Sequence, residues 1–97
     1  MGPKELRSVV WPLMQQPMPR DEIARGVAIT YKIDEDTAKA VVAQLDQDIL
    51  TCMKHIRPST RGTIELEKDK ARSAIAPIED IHFESMWNLA CYIIDKG

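Results

Sequence analysis

Residues 19–50, PRDEIARGVAITYKIDEDTAKAVVAQLDQDIL, constrain the fold most. Ile23, Ala24, Val27 and Ala28 fall at i, i+1, i+4 and i+5, which is one face of a helix. Ala38, Val41, Val42, Leu45 and Ile49 fall at i, i+3, i+4, i+7 and i+11, again one face. Asp34, Glu35 and Asp36 stand where the second helix should begin. An Asp side chain there can accept from free backbone N–H groups, and negative charge suits the positive end of the helix dipole. Two apolar stripes this close in sequence must pack on each other and on a third element.

The third element precedes them. Leu6, Val9, Val10, Leu13 and Met14 share one face, and Pro3 suits a helix start. The spacing predicts helices over 4–14, 20–28 and 35–47. Pro12 should kink or split the first near Trp11. Gly26 lies inside the second, where it costs roughly 1 kcal/mol relative to Ala. Either a close neighbour needs the missing side chain, or the helix is short.

Beyond residue 48 the pattern reads differently. Ile64 and Leu66 alternate with Thr63, Glu65 and Glu67, a period of two. Turn-forming residues 57–62, RPSTRG, separate them from residues 49–56. The expectation is a β-hairpin over 49–67 with a basic tip. Residues 51–62 carry three basic side chains and no acidic one, whereas 34–50 carry five acidic and one basic. Residues 68–77 read as a linker or helix ended by Pro77. A last helix is expected from Phe83, with Phe83, Met86, Trp87, Ala90, Ile93 and Ile94 on one face and Leu89 and Tyr92 toward the other. A helix apolar that far round packs in the core or against a partner.

A chain of 97 residues makes one domain with a feasible core. Cys52 and Cys91 follow no zinc spacing and read as small apolar core residues in a reducing compartment. His55 and His82 are far apart, so neither a metal nor another cofactor is expected. No nucleophile elbow, phosphate-cradling glycine loop or HExxH occurs, so an enzyme is not expected. No run is apolar enough to span a bilayer, and no secretory pattern opens the chain, so a cytoplasmic protein is expected.

Three helices followed by a hairpin with a basic tip resemble a winged helix-turn-helix domain. The resemblance rests on residues 6–14, on PMPRDEIA at 17–24, on TAKAVVAQL at 37–45 and on Ile49-Leu50 leading into the hairpin. It covers roughly two thirds of the chain and points to small bacterial, plasmid and phage regulators. It implies a mostly α fold with a small β-hairpin (α+β): a core over 1–67, then a linker and C-terminal helix over 68–97.

The resemblance also implies a repressor-like regulator of transcription that binds duplex DNA. Helix 35–47 would present Asp36, Thr37, Lys39, Ala40, Ala43, Gln44 and Gln47 to the major groove. The wing would present Lys54, His55, Arg57, Thr60 and Arg61. Phe83, Met86, Trp87, Leu89, Tyr92 and Ile93 would close a homodimer. The chain departs from the family at Asp48, where many members have Gly, and in the acidity of 34–50, a poor match to phosphates. The competing expectation is an interaction module that binds a protein, such as a phage or plasmid factor or a subunit docked in a larger nucleic-acid machine.

Overall fold

A computed structural model describes residues 1–96, and among these the chain is helical throughout, with no strand. The elements are α1 (Pro3–Met14), α2 (Arg20–Tyr31), α3 (Glu35–Ile56), α4 (Ile64–Ala74) and α5 (Asp80–Lys96). The expected α+β winged helix is therefore corrected to an all-helical fold.

The hairpin fails for a reason visible in its residues. Leu45, Ile49, Cys52 and Ile56 recur at i, i+4, i+7 and i+11, so the stripe of α3 simply continues for two and a half turns past residue 47. Ile49, Met53 and Ile56 pack against the buried cluster that contains Leu45 and Cys52. Residues 64–67 form the first turn of α4, where Ile64, Ala71 and Ile75 face inward at helical spacing. Leu66, which gave the impression of alternation, is 57% exposed.

α3 has 22 residues and so is about 33 Å long, the spine of the molecule. It touches each of the other four helices. Its side toward α1 and α2 buries Ala38, Val42 and Leu45 with Val10, Ile23, Ala24 and Val27. Nearer its C-terminus Cys52 is enclosed with Ala71, Phe83, Met86 and Ala90 in the same continuous cluster. The molecule is elongated, 45 × 26 × 18 Å.

α1 runs unbroken through Pro12, which lies in its last turn, so the expected split does not occur. α2 ends on Lys32 in the left-handed conformation (φ 54°), whose N–H donates to the Ala28 carbonyl. The Ile33 N–H donates to the same carbonyl at 3.0 Å, and Ile33 packs on the core. This is a left-handed helix ending with its apolar contact, built here on Lys rather than Gly. Asp34, expected to cap α3, makes no side-chain cap hydrogen bond. Glu35 in the first turn instead pairs with Arg25 (3.7 Å) and Lys39 (3.4 Å).

α1 and α5 are joined by polar contacts. The Trp11 Nε1–H donates to Ser85 Oγ at 3.1 Å, and the Glu79 N–H donates to Ser8 Oγ at 3.1 Å. Arg7 and Asp48 form a buried ion pair between α1 and α3. Arg7 also donates to the carbonyls of Pro77 and Ala76, both at 3.1 Å.

Candidate binding surfaces

The outward side of α3 was the expected reading surface. Thr37, Lys39, Ala40, Ala43, Gln44 and Gln47 are all exposed, as is Asp36. The structure thus brings these together on one helix, on the side away from the core. Of their charges, that of Lys39 is paired within the chain, as are those of the flanking arginines of α2. Lys39 pairs with Glu35, Arg25 with Glu35, and Arg20 with Asp46 at 3.1 Å. The Gln44 side chain donates to Asp48 Oδ1 at 3.1 Å and so supports the buried ion pair.

The residues expected on a wing have a different setting. Lys54 and His55 belong to the last turn of α3, while Arg57, Thr60 and Arg61 occupy its connection to α4. His55 is engaged: its Nδ1 lies 2.9 Å from Glu67 Oε2 and ties α3 to α4. That bond, with help from Lys70, holds the Glu67 carboxyl below its ordinary value. The remainder form a compact turn. The Ser59 hydroxyl donates to the Ile56 carbonyl, and the Thr60 N–H donates to Thr63 Oγ1 at 2.8 Å. The Thr60 carbonyl accepts from the N–H groups of Thr63 and Ile64. Arg57 and Arg61 therefore project from a fixed backbone. Among the described residues neither has a carboxylate within 4 Å, and neither does Lys54.

These two arginines border an open cleft of about 380 Å³ between the α3–α4 turn and the end of α5. Its apolar lining is Ile56, Ile64, Ile94 and Cys91, and Asp95 stands at its α5 side. Cys91 is half-buried rather than enclosed, and burial raises its thiol above the ordinary value. Cys52 is fully enclosed, and desolvation first, then the Asp48 charge, pushes its thiol up to about 12. Both cysteines are free. No group of three His, Cys, Asp or Glu residues is placed to hold a metal among the described residues.

A second concavity, about 270 Å³, lies between the end of α1 and the outer face of α2. Leu13, Met18, Ile23, Val27 and Tyr31 give it an apolar surface, with Glu22 and Thr30 beside them. Gly26 lines it too, and a Cβ added there would meet nothing within 4 Å. No close neighbour requires this glycine, and α2 is not short, so neither expected explanation for it holds. Ile29 shares the face of α2 with Glu22 and Gly26 and is 72% exposed. Sequence reasoning gave this groove no role; the signal for it was Gly26 itself, an unexplained weak point in an otherwise regular helix.

The expected dimer seam divides. Phe83, Met86 and Trp87 are buried in the chain's own core, where the Phe83 and Trp87 rings lie 6.3 Å apart and Arg72 covers Phe83 at 4.8 Å. Leu89 is half-buried, and only Tyr92 and Ile93 stay exposed. No helix of the described residues is long and apolar enough to cross a membrane. The chain matches no family model, no curated protein and no solved structure.

Proposed function

We propose that this protein is a docking domain for a partner protein, which it holds in the α1–α2 groove. The observation that carries this reading is Gly26. It weakens α2 by about 1 kcal/mol relative to Ala, and no contact within the fold demands it. It lines, without adding a side chain, an apolar groove flanked by the exposed Met18, Ile29 and Tyr31. Such a groove accepts one or two apolar anchors of an amphipathic helix, spaced i and i+4. Glu22, which borders the groove, selects an occupant with a Lys or Arg beside those anchors.

The test is selection from a displayed library of amphipathic helical peptides against the purified protein. Enriched peptides should pair apolar anchors with a basic residue and should lose binding to Gly26→Phe, which fills the groove. Circular dichroism establishes that the variant is folded. No enrichment, or peptides that bind Gly26→Phe equally well, would remove the groove from the reading.

A second reading is favoured by the α2–α3 connection. A three-residue turn with one left-handed residue joins two helices, and the second exposes Thr37, Ala40, Ala43 and Gln47. These could meet base edges in a major groove, with Arg57 and Arg61 on phosphates. The acidic start of α3 and the internal pairing of Lys39 weigh against it, because affinity for duplex DNA rests largely on phosphates neutralised by free cations. Selection of random duplexes at low and moderate salt distinguishes the readings. A recovered motif whose binding falls steeply with salt would establish the DNA reading, and no enrichment at any salt would end it.

A further inference from the structure

We infer that the cleft between the α3–α4 turn and α5 is a binding site for an amphipathic organic oxyanion, a phosphate or carboxylate head on an apolar body. The inference stands on Arg57, Arg61 and the lining of the cleft, and is independent of the α1–α2 groove.

The charge pattern comes first. Among the described residues Arg7, Arg20, Arg25, Lys39, Lys68, Lys70 and Arg72 each have a carboxylate within 4 Å. Arg57 and Arg61 have none there, nor do Lys4, Lys32, Lys54 and Lys96, but Arg57 and Arg61 border one and the same cleft, which those lysines do not line. Asp95 borders it too, on the side of Cys91, whose thiol its charge helps to raise. Two cations and one anion leave the turn side of the cleft positive and its α5 side negative. A ligand with one anionic head is thereby oriented with that head toward the turn. Guanidinium groups suit such a head because their forked N–H groups match the oxygen pairs of carboxylate and phosphate.

The turn is also prepared. The Ser59 hydroxyl, the Thr60 N–H and the Thr60 carbonyl are all used inside it, so the backbone that carries both arginines is held before any ligand arrives. Pro58 between them restricts it further. Little ordering of the backbone is then required on binding.

The rest of the lining is apolar. Ile56 and Ile64 come from the ends of α3 and α4, and Cys91 and Ile94 from α5. A bare inorganic anion would leave this surface wet. A head with an apolar body covers it, and the volume of about 380 Å³ lies in the range of small-molecule sites.

The experiment uses 1-naphthyl phosphate and 1-naphthoate as probes, with 1-naphthol and inorganic phosphate as comparators, and follows backbone amides by NMR. Both naphthyl anions should shift amides of residues 57–64 and 91–95, and both should slow alkylation of Cys91 while leaving Cys52 unchanged. If only one of them binds, the head is that oxyanion. Naphthol and inorganic phosphate should bind at least tenfold more weakly. Arg57→Gln and Arg61→Gln should each lower affinity by about tenfold, while Lys54→Gln, outside the cleft, should not. Both arginines are exposed and, among the described residues, have no carboxylate within 4 Å, so these variants should keep the fold, which circular dichroism checks. Equal binding of naphthol would show only apolar surface, and equal binding of inorganic phosphate only a cationic patch. Affinity retained in the double Gln variant, or shifts at the turn with duplex DNA but with neither naphthyl anion, would overturn the proposal.

Discussion

Arg7 and Asp48 are 4% and 1% exposed, an ion pair in the interior of a protein of 97 residues. Asp48 accepts from Arg7 and from Gln44, and Arg7 spends its other donors on the carbonyls of Ala76 and Pro77. Every buried side-chain nitrogen and oxygen among the described residues has a partner. Removing one charge strands the other, which costs far more than the net contribution of the pair. Asp48→Ala should therefore destabilise by roughly 3–5 kcal/mol. The double variant Arg7→Met with Asp48→Leu should lose much less, with a residue of cost from the two carbonyls left without a donor. Urea unfolding of the parent and the two variants gives the comparison, and a single-variant loss below about 1 kcal/mol would mean that the pair is hydrated. This residue also shows how a sequence can mislead locally. Asp48 stands out against the helix-turn-helix pattern as a poor substitute for Gly, but in the structure it is the partner of a charge 41 positions earlier. Nothing near residue 48 announces Arg7.

At the scale of elements, α2 and the α3–α4 junction each have a measurable effect on stability. Gly26→Ala places a methyl in open space on an exposed helix, so it should stabilise the protein by about 0.5–1 kcal/mol, read as a rise in the thermal midpoint. A loss of stability would mean that α2 is not a regular helix at that point. The α3–α4 junction responds to acid. The His55 hydrogen bond holds the Glu67 carboxyl below its ordinary value of 4.5. The contribution of that contact is therefore complete above this value and is lost as pH falls through the lower, folded value. Stability followed from pH 6 downward should decline on the acid side less steeply in Glu67→Gln than in the parent, and identical slopes would exclude the contact as a contributor. The elements themselves were legible to different degrees. α1, α2 and the first half of α3 follow directly from apolar spacing, because each buries one stripe. The second half of α3 continues the same stripe through Cys52, whose small side chain marks the position weakly, and RPSTRG reads equally well as a hairpin tip or a helix–helix turn. Five residues of alternation around Ile64 were too few to tell period two from one turn of α4. The cationic turn was found in the sequence, but the cleft was not, since Cys91 and Ile94 reach it from 30 positions away.

The whole molecule is organised by α3, and that decides whether any part can stand alone. A core over 1–67 would keep α1, α2, α3 and one turn of α4. It would lose Phe83, Met86, Trp87 and Ala90, all buried against the other helices, and with them the covers of Trp11 and Cys52. It would also lose the carbonyls of Ala76 and Pro77 that Arg7 needs, and the Ser85 hydroxyl that receives the Trp11 N–H. The polar losses matter as much as the apolar ones, because Arg7 would remain paired to Asp48 on a surface that no longer excludes water. Truncation after residue 67 should therefore give a chain with helical far-ultraviolet dichroism but weak near-ultraviolet signal and no cooperative thermal transition. In the full chain, amide exchange at Trp11, Leu45, Cys52 and Trp87 should share one opening free energy, since α1, α3 and α5 form one cluster. A truncated chain that unfolds cooperatively, or exchange that separates α5 from α1 and α3 by more than about 2 kcal/mol, would show instead two units divided near residue 67.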